Sequence, residues 1–429
     1  MSRYQASEDM LDRALQCIPL GTQTFSKSYK HYPRGVSPFY IESGKGAILK
    51  DIDGNEFIDL VSSLAAVTLG YADDEINAAV EAQLKKGCIF SLPSPPEVYL
   101  SELLVDIIPC AQMVRFGKNA SDATTAAVRV SRAFTGRNRI AVCGYHGWHD
   151  WYIGSTPKNR GVPGVVSELT SVFKYNDIAS LSEVFSRYPD DVAAVVMEPM
   201  NVAFPQPGFL QEVRSLCDQY GAVLVFDETV TGFRLAEGGA QEYFGVVPDL
   251  ACFGKGMANG FPLSAVVGKN EIMSLFDEVF FSFTFGGELL SIAAAIAVIK
   301  KYQREDVVMK IRKNGIKLVD GLKKIFADFN IEDFFNVSGY EGWSFINFNF
   351  SDEEYLYKVR TIFMQESLAN GLITLGSNNL SFSHDELIIE RVLSAYTKVF
   401  KVIATALQAD DIDAFLRVEP LQPLFKPRS

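Results

Sequence analysis

The chain has 429 residues, of which 48% are hydrophobic and 21% charged, and its formal net charge is −12. This composition indicates a globular protein, and the length predicts one large domain and a smaller one. The acidic balance argues against nucleic acid or a membrane surface as a partner, because both require a basic face. There is no secretion signal and no apolar run near the ~20 residues of a membrane span. Because the six cysteines are widely spaced and indicate reduced thiols, we expect a cytoplasmic protein.

The first hundred residues predict an α+β portion. Apolar spacing predicts an opening helix over residues 7–20, capped by Ser7. Apolar and polar residues then alternate around Asp53-Gly54, which signals a hairpin. We assign residues 1–60 to an N-terminal segment that contributes to the smaller domain.

From about residue 100, strand and helix patterns alternate. Strands are predicted over 139–145, 192–199, 222–228 and 250–253, and helices over 121–136, 179–191 and 208–221. This alternation predicts a mostly parallel sheet covered on both faces. Residues 61–305 form the large domain in this interpretation.

Four segments follow directly after predicted strand ends. In open α/β sheets the ligand lies beyond the carboxyl ends of the strands, so these segments indicate one shared site. They are Gly144–Asp150, Glu198–Asn201, Asp227–Thr231 and Gly254–Gly256.

The remainder of the chain predicts the second part of the smaller domain. A long helical region follows Thr284, and from about Lys310 the pattern is helix, strand and helix. Strands are predicted over 343–350 and 371–382, and helices over 352–371 and 385–407. We assign residues 306–429 to this domain.

Asp227 and Lys255 stand at the ends of two predicted strands. An acid at a strand end is commonly structural, but a carboxylate there can also keep a bound ring nitrogen protonated. A lysine that forms a Schiff base needs a pKa lowered by burial or by neighbouring charge. Pyridoxal phosphate chemistry uses this pair of groups. We interpret the flanking Gly254 and Gly256 as clearance for such a cofactor.

The stretches VLVFDETVTGFR and PDLACFGKGMANGFPLSAVVG resemble the signature of class III pyridoxal-phosphate-dependent aminotransferases, especially the glutamate-1-semialdehyde 2,1-aminomutase-like branch. The similarity extends from GAILKDIDGNEFIDL to the C-terminal helix. It implies the α/β fold type I of PLP-dependent transferases, with a mostly parallel seven-stranded sheet in the large domain and a smaller α+β domain. It also implies pyridoxal 5'-phosphate, with pyridoxamine 5'-phosphate as intermediate, and a homodimer with active sites at the interface.

The resemblance implies catalytic roles for Lys255, as the Schiff-base lysine, and for Asp227, as the partner of the pyridine nitrogen. Asn119, Ala120 and Ser121 stand where the family has a Ser-Gly-Thr phosphate loop. Amides at a helix N-terminus bind anions whatever the side chains, although helix capping by Ser121 or Asn119 explains the same residues.

Five further residues match cofactor-binding positions of the family. Tyr145 stands where an aromatic ring stacks on the cofactor, with His146 beside it. Glu198 belongs to a Glu-Pro pair, and Asn201 matches an asparagine near the cofactor's phenolic oxygen. The segment SFTFGGE resembles a loop that reaches across the dimer, which would place Thr284 on the cofactor phosphate of the partner subunit.

The implied reaction is a transamination from an amino-acid donor to a small aldehyde or keto acceptor. The segments GYHGWHDWYIGST and TFGGELLSIAAA resemble members that aminate sugar-like carbonyls for bacterial surface polysaccharides. The aminomutase branch has Gly-Asn-Pro where this chain has Gly287-Glu288-Leu289, which favours a transaminase. An aminomutase and an amino-acid racemase remain alternatives. Trp148, Trp151 and Tyr152 are candidates for the substrate pocket, or for structural packing.

The sequence disfavours three other interpretations. A dinucleotide-dependent oxidoreductase needs a GxGxxG motif, which the chain lacks. His146 and His149 are spaced as two metal ligands could be, but the sequence indicates no third ligand, so no metal is expected. A noncatalytic protein on this fold would have no reason to keep both Asp227 and Lys255.

Overall fold

The computed structural model describes residues 3–409 and 411–422. The chain forms two compact units. The larger unit contains residues 65–68 and 74–308, and the smaller unit contains residues 3–64, 69–73, 309–409 and 411–422. In the described part of the chain, no helix is both long and apolar enough to cross a membrane.

The described residues form fourteen strands and fifteen helices. The strands are β1 (Ile41–Lys45), β2 (Ile48–Asp51), β3 (Glu56–Asp59), β4 (Met113–Gly117), β5 (Arg139–Cys143), β6 (Thr170–Val172), β7 (Val192–Met197), β8 (Val223–Asp227), β9 (Leu250–Phe253), β10 (Ser264–Gly268), β11 (Phe335–Tyr340), β12 (Trp343–Phe348), β13 (Leu372–Ile373) and β14 (Ser377–Asn379). The helices are α1 (Gln5–Ala14), α2 (Ser62–Ala65), α3 (Asp74–Leu84), α4 (Pro95–Ile107), α5 (Ala120–Thr135), α6 (Asp150–Ile153), α7 (Gly164–Glu168), α8 (Ile178–Arg187), α9 (Phe209–Tyr220), α10 (Ala240–Phe244), α11 (Asn270–Met273), α12 (Leu289–Glu305), α13 (Val307–Asp328), α14 (Glu353–Ala369) and α15 (Glu386–Gln408). All four residues of α2 have positive φ, so it is a left-handed turn.

The larger unit is built on a seven-stranded sheet with the order β4-β10-β9-β8-β7-β5-β6. Strands β9, β8, β7, β5 and β6 run parallel to one another, and β10 runs antiparallel to both of its neighbours. The predicted mostly parallel sheet is therefore confirmed.

Helices cover both faces of this sheet, because successive side chains of a strand point to opposite faces. Val142 and Val225 pack on the face that also receives Ala127 of α5. Ala141 and Leu224, one position earlier in their strands, pack on the face covered by α8 and α9. The central strands are buried on both sides, which explains their unbroken apolar runs.

The smaller unit contains a four-stranded sheet, β1-β2-β3-β13, and a three-stranded sheet, β11-β12-β14. The hairpin expected at Asp53-Gly54 joins β2 to β3, and Gly54 has the positive φ of 86° that the turn requires. The single strand expected over 371–382 is instead two short strands. Gly376, with φ of 88°, separates them, and they pair in different sheets.

The opening helix differs from its prediction at both ends. It begins at Gln5 and ends at Ala14, and Ser7 lies buried inside it rather than capping it. The carboxylate of Asp53 caps the helix, accepting from the N–H groups of Ala6 at 2.7 Å and Ser7 at 2.9 Å. The cap therefore comes from the hairpin turn, 46 residues away in sequence.

Candidate active site

Asp227 and Lys255 lie at the same edge of the seven-stranded sheet. Asp227 is the last residue of β8, and Lys255 follows the end of the neighbouring parallel strand β9 by two residues. The segments after β5 and β7, the next strands in order, begin at the same edge. The four strand ends predicted to form one site are therefore neighbours.

The carboxylate of Asp227 is buried, with only 4% of the residue exposed. Its Oδ1 accepts from the N–H of Thr229 at 3.1 Å and from the Thr229 hydroxyl. Its Oδ2 lies 2.9 Å from Nδ1 of His146. A carboxylate offers about four acceptor positions, and these three contacts are those it makes among the described residues, so one position is available to a ligand N–H.

His146 connects Asp227 to the end of strand β5. Its Nε2 lies 3.1 Å from the carbonyl oxygen of Cys143. Both ring nitrogens therefore face oxygen atoms, and the buried imidazole bridges the Asp227 carboxylate and the end of β5. This bridge fixes the orientation of the carboxylate.

Lys255 occupies an unusual backbone position. Its φ is 43°, in the left-handed region, at the start of a short 3₁₀ helix over Lys255–Ala258. Burial lowers the pKa of its ammonium below the ordinary value, although the carboxylates of Glu198 and Asp227 oppose that shift. A lysine with a lowered pKa is more often a free amine, which is the form that attacks an aldehyde.

The surroundings explain glycine differently at the two positions beside Lys255. A Cβ on residue 256 would lie 2.8 Å from Cγ2 of Thr68, whereas a Cβ on residue 254 would meet its nearest neighbour, Ala120, at 3.5 Å. The expectation that both glycines leave room for a cofactor is therefore wrong for Gly256. This glycine is required because Thr68 packs against the backbone.

Helix α5 begins where the phosphate loop was predicted. Oδ2 of Asp122 accepts from the N–H groups of Lys118 at 2.9 Å and Asn119 at 2.8 Å, which closes the turn. The N–H groups of Ala120 and Ser121 belong to the first helical turn, have no intrahelical acceptor, and form a ready donor pair for an anion. Oγ of Ser121 accepts from the N–H of Trp148 at 3.3 Å.

Glu198 organises the segment that follows β7. Its Oε2 accepts from the N–H of Tyr145 at 2.9 Å and from Nδ2 of Asn201 at 2.8 Å. Burial, and then the nearby charge of Asp227, raise the pKa of the Glu198 carboxyl. The ring of Tyr145 is mostly exposed and packs edge-on against Tyr152, with 5.6 Å between centroids. The structure thus brings these three predicted residues together.

The aromatic residues after β5 divide into two groups. Trp151 and Tyr152 are buried in the core beneath the sheet, so they pack structurally. Trp148 is 67% exposed. His149 faces the Thr125 hydroxyl at 2.6 Å, away from the partners of His146. The described residues contain no group of three or more His, Cys, Asp or Glu side chains able to hold a metal.

Thr284 lies exposed in the loop that precedes α12. Two arginines hold this loop by its backbone. Nη2 of Arg115 donates to the carbonyl of Phe281 at 2.6 Å, and Nη1 of Arg129 donates to the carbonyl of Phe280 at 2.8 Å. Arg115 and Arg129 therefore fix the backbone of this loop to the rest of the larger unit, while the Thr284 side chain is exposed.

Three contacts of the site were not predicted. One is Thr229, which binds Asp227; a threonine two residues after a strand-end aspartate is a local signal for such a contact. The second is the packing of the Thr68 methyl group against the backbone of Gly256. The third is the ion pair between Lys118 and Glu288 at 2.8 Å, which links the phosphate-loop candidate to the N-terminus of α12. Glu288 also accepts from the N–H groups of Leu290 and Ser291.

These residues fit pyridoxal 5'-phosphate. The amine of Lys255 suits its aldehyde, the open acceptor position of Asp227 suits a pyridinium N–H, and the amides of Ala120 and Ser121 suit a phosphate. With the seven-stranded sheet, they define the class of PLP-dependent transferases of fold type I.

Comparison with known proteins resolves the class further. The model of the family described as aminotransferase class-III matches residues 31–397, and the chain belongs to this family. It is 39% identical over 360 residues to the 3-aminobutyryl-CoA aminotransferase of Cloacimonas acidaminovorans, covering 82% of this chain and 85% of that protein. It is 35% identical over 429 residues to the glutamate-1-semialdehyde 2,1-aminomutase of Methanococcoides burtonii, covering 92% and 99%.

Among solved structures, the PLP internal aldimine form of the FumI protein of Sphingopyxis sp. MTA144 is similar, with a TM-score of 0.89. It is 27% identical and covers 97% of this chain and 99% of its own. An ω-transaminase from Sphaerobacter thermophilus has a TM-score of 0.83 at 28% identity, covering 93% and 98%. The chain is therefore a PLP-dependent enzyme of a family that contains aminotransferases and aminomutases.

Proposed function

We propose that this enzyme is an aminotransferase that moves an amino group from an amino-acid donor to a small aldehyde or keto acceptor. The observation that carries the proposal is the placement of Asp227 and Lys255 on neighbouring parallel strand ends. When bound, pyridoxal phosphate supplies an electron sink that acidifies the carbon bearing the amine. The protein has to hold that group and to move one proton.

Each predicted site residue has a role in this proposal. The amides of Ala120 and Ser121, preceded by Asn119, hold the phosphate. Asp227, oriented by His146 and Thr229, would face the ring nitrogen. Tyr145 and the Glu198–Asn201 pair would contact the ring of the bound cofactor. The amine of Lys255 would hold the cofactor aldehyde and, when free, would take a proton from the substrate carbon.

For the acceptor we propose a sugar-like hydroxylated carbonyl, used in surface polysaccharide biosynthesis. The support is the resemblance of GYHGWHDWYIGST and TFGGELLSIAAA to enzymes of that type. The relative that is 39% identical is named for an amino-acyl-CoA. A 3-oxoacyl thioester is therefore the competing acceptor class.

An aminomutase is the second candidate function. Its support is the 31–36% identity to seven proteins named glutamate-1-semialdehyde 2,1-aminomutase. Against it stands Glu288, at a position where that branch has an asparagine. In this structure Glu288 forms an ion pair with Lys118, which an asparagine cannot form.

Half-reaction spectroscopy tests the proposal. We expect the purified protein to bind pyridoxal phosphate with a visible absorption band that Lys255→Ala abolishes. Amino-acid donors should bleach the band, and a panel of keto-sugars, simple aldehydes and 3-oxoacyl thioesters should restore it at rates that rank the acceptor classes. Turnover of glutamate-1-semialdehyde alone would establish the aminomutase instead, and a protein that never acquires the band would refute both.

We also propose a cytoplasmic homodimer in which Thr284 of each subunit contacts the cofactor phosphate of the other. Large apolar side chains are exposed on the larger unit near the Thr284 loop in sequence, including Phe280 at 77% and Phe285 at 57%. Contiguous exposed apolar patches mark association surfaces, and the proposal takes these two phenylalanines as parts of such a patch. All six cysteines are unpaired, which is consistent with a reducing compartment.

A further inference from the structure

We propose that Thr68 is a positioning residue for Lys255, acting through the turn that carries this lysine. The inference rests on the proposed Schiff-base role of Lys255. The turn over residues 254–260 contains two non-glycine residues in the left-handed region, Lys255 with φ of 43° and Asn259 with φ of 48°. Asparagine adopts this conformation readily at the end of a helix, but a lysine keeps it only where surrounding contacts hold it.

Thr68 contacts the turn in three ways. Its N–H donates to Oδ1 of Asn259 at 3.0 Å, and its hydroxyl donates to the carbonyl oxygen of Gly256 at 3.3 Å. Its methyl carbon lies 2.8 Å from the position that a Cβ on residue 256 would occupy. Thr68 therefore contacts Gly256, which directly follows Lys255, and it also contacts Asn259.

The segment that carries Thr68 is itself anchored on the larger unit. The buried side chain of Arg234 donates from Nη2 to the carbonyl of Ala65 at 3.3 Å. Val67 packs 3.3 Å from the Cβ position of Gly260, at the far end of the turn. Because Arg234 holds Ala65 and Val67 lies against the end of the turn, the contacts of Thr68 oppose relaxation of the Lys255 backbone.

The hydroxyl is the testable part of this arrangement. Thr68→Val keeps the shape of the side chain and removes the donor to Gly256, whereas Thr68→Ser keeps the donor and removes the methyl group. A residue that only fills space should tolerate valine better than serine. A positioning residue should show the opposite order.

The experiment measures Lys255 directly. In the cofactor-free protein, the pH midpoint of Lys255 labelling by an amine-reactive reagent is read by peptide mass spectrometry. In the loaded enzyme, the pH titration of the Schiff-base absorbance is read. We expect Thr68→Val to raise the labelling midpoint by about 0.5 pH unit or more, because a looser turn admits water to the ammonium. We expect kcat to fall about five- to tenfold with KM nearly unchanged, and Thr68→Ser to match the wild type.

A second pair of variants keeps the inference falsifiable if Thr68→Val does not fold. Gly256→Ala places a Cβ against the Thr68 methyl group and should disturb the same titrations. Adding Thr68→Ser removes that methyl group but keeps the hydroxyl and should restore the titrations, whereas adding Thr68→Ala removes both groups and should not. Equal behaviour of the two double variants would refute the proposed positioning.

The two proposals fail in distinguishable ways. If Thr68→Val folds and both titrations and kcat equal those of the wild type, Thr68 has no positioning role, whatever happens to thermal stability. If borohydride reduction of the loaded wild-type enzyme leaves no cofactor on Lys255, the proposed function itself is wrong.

Discussion

At the scale of single residues, the site depends on one buried carboxylate and one buried amine, which lie at the ends of neighbouring parallel strands. Thr229 donates its N–H and hydroxyl to Oδ1 of Asp227, and Nδ1 of His146 lies 2.9 Å from Oδ2, so both carboxylate oxygens are held in place. Burial lowers the pKa of Lys255 and favours the free amine. Lys255 is therefore a free amine more often than an ordinary lysine, which suits its proposed role in forming a Schiff base.

Asp227→Asn should separate binding from catalysis. The amide keeps the size of the side chain but no longer favours a protonated ring nitrogen, so we expect kcat to fall at least about 100-fold. Borohydride should still trap the cofactor on Lys255. The matched control is Glu228→Gln, because the buried Glu228 carboxylate accepts from Ala240 and Gln241 instead. This control should lose stability while keeping kcat per bound cofactor; equal loss of kcat in both variants would contradict the role of Asp227.

The lowered pKa of Lys255 predicts a pH effect on the cofactor-free protein. Between the lowered folded-state pKa and the ordinary value of 10.5, the unfolded chain binds more protons than the folded one, so stability rises with pH. Lys255→Met lacks this group. We expect its excess stability over the wild type to be largest at neutral pH and to shrink as pH rises towards 10.5. The free energy of unfolding of both proteins is measured at each pH. A difference between them that stays constant across that range would contradict the lowered pKa of Lys255.

At the scale of elements, two helix N-termini meet through the Lys118–Glu288 pair. Lys118 precedes the first turn of α5, and Glu288 caps α12. Both side chains are mostly buried, at 16% and 17% exposed. Burial opposes ionisation of Glu288, but hydrogen bonds from Lys118, Ser291 and Leu290 outweigh it and hold the pKa of the carboxyl below its ordinary value.

Glu288→Gln should therefore destabilise the protein in a pH-dependent way. At pH 7 we expect a loss of about 1–3 kcal/mol in the free energy of unfolding, because the buried Lys118 ammonium loses its charged partner. The wild-type advantage is present above the ordinary pKa of 4.5 and is lost as pH falls through the lower folded-state value. Urea unfolding at a series of pH values measures it. Glu183→Gln is the control, since its ion pair with Arg187 is exposed and should matter little.

At the scale of the whole molecule, the proposed dimer makes Thr284 of one subunit serve the site of the other. Hybrid dimers test this with two defective parents, Lys255→Met and Thr284→Ala. If Thr284 acts across the interface, the hybrid contains one complete site, built from Lys255 of one subunit and Thr284 of the other. We expect about half of the wild-type activity at limiting cofactor. If Thr284 served its own subunit, no hybrid site would be complete and activity would stay at the level of the parents.

Much of this architecture was predictable from local sequence patterns. Strands buried on both faces appear as unbroken apolar runs, and amphipathic helices appear at the 3.6-residue period, so the α/β alternation and the mostly parallel sheet followed from periodicity. Asp227 and Lys255 could be placed at strand ends because an apolar run ends one or two residues before each of them. The hairpin at Asp53-Gly54 was equally local, because two residues specify the turn.

The contacts that adjust the site were not predictable in this way, because their partners are far apart in the chain. Thr68 binds Gly256 across 188 residues, and Lys118 binds Glu288 across 170. The same holds for the Asp53 cap of α1, where the sequence suggested Ser7 instead. Periodicity shows which face of an element is buried but not which side chain of another element meets it.

The sequence by itself therefore determined the kind of fold, the four strand-end segments expected to share a site and the two residues proposed to carry the chemistry, since each was inferred from short stretches of neighbouring residues. Only the tertiary structure decided how these residues are held. The left-handed backbone of Lys255, the reason for Gly256 and the hydrogen bonds of Asp227 all depend on groups brought together by packing. The stability of each of these features depends on burial and hydrogen-bond geometry, which no single stretch of sequence specifies.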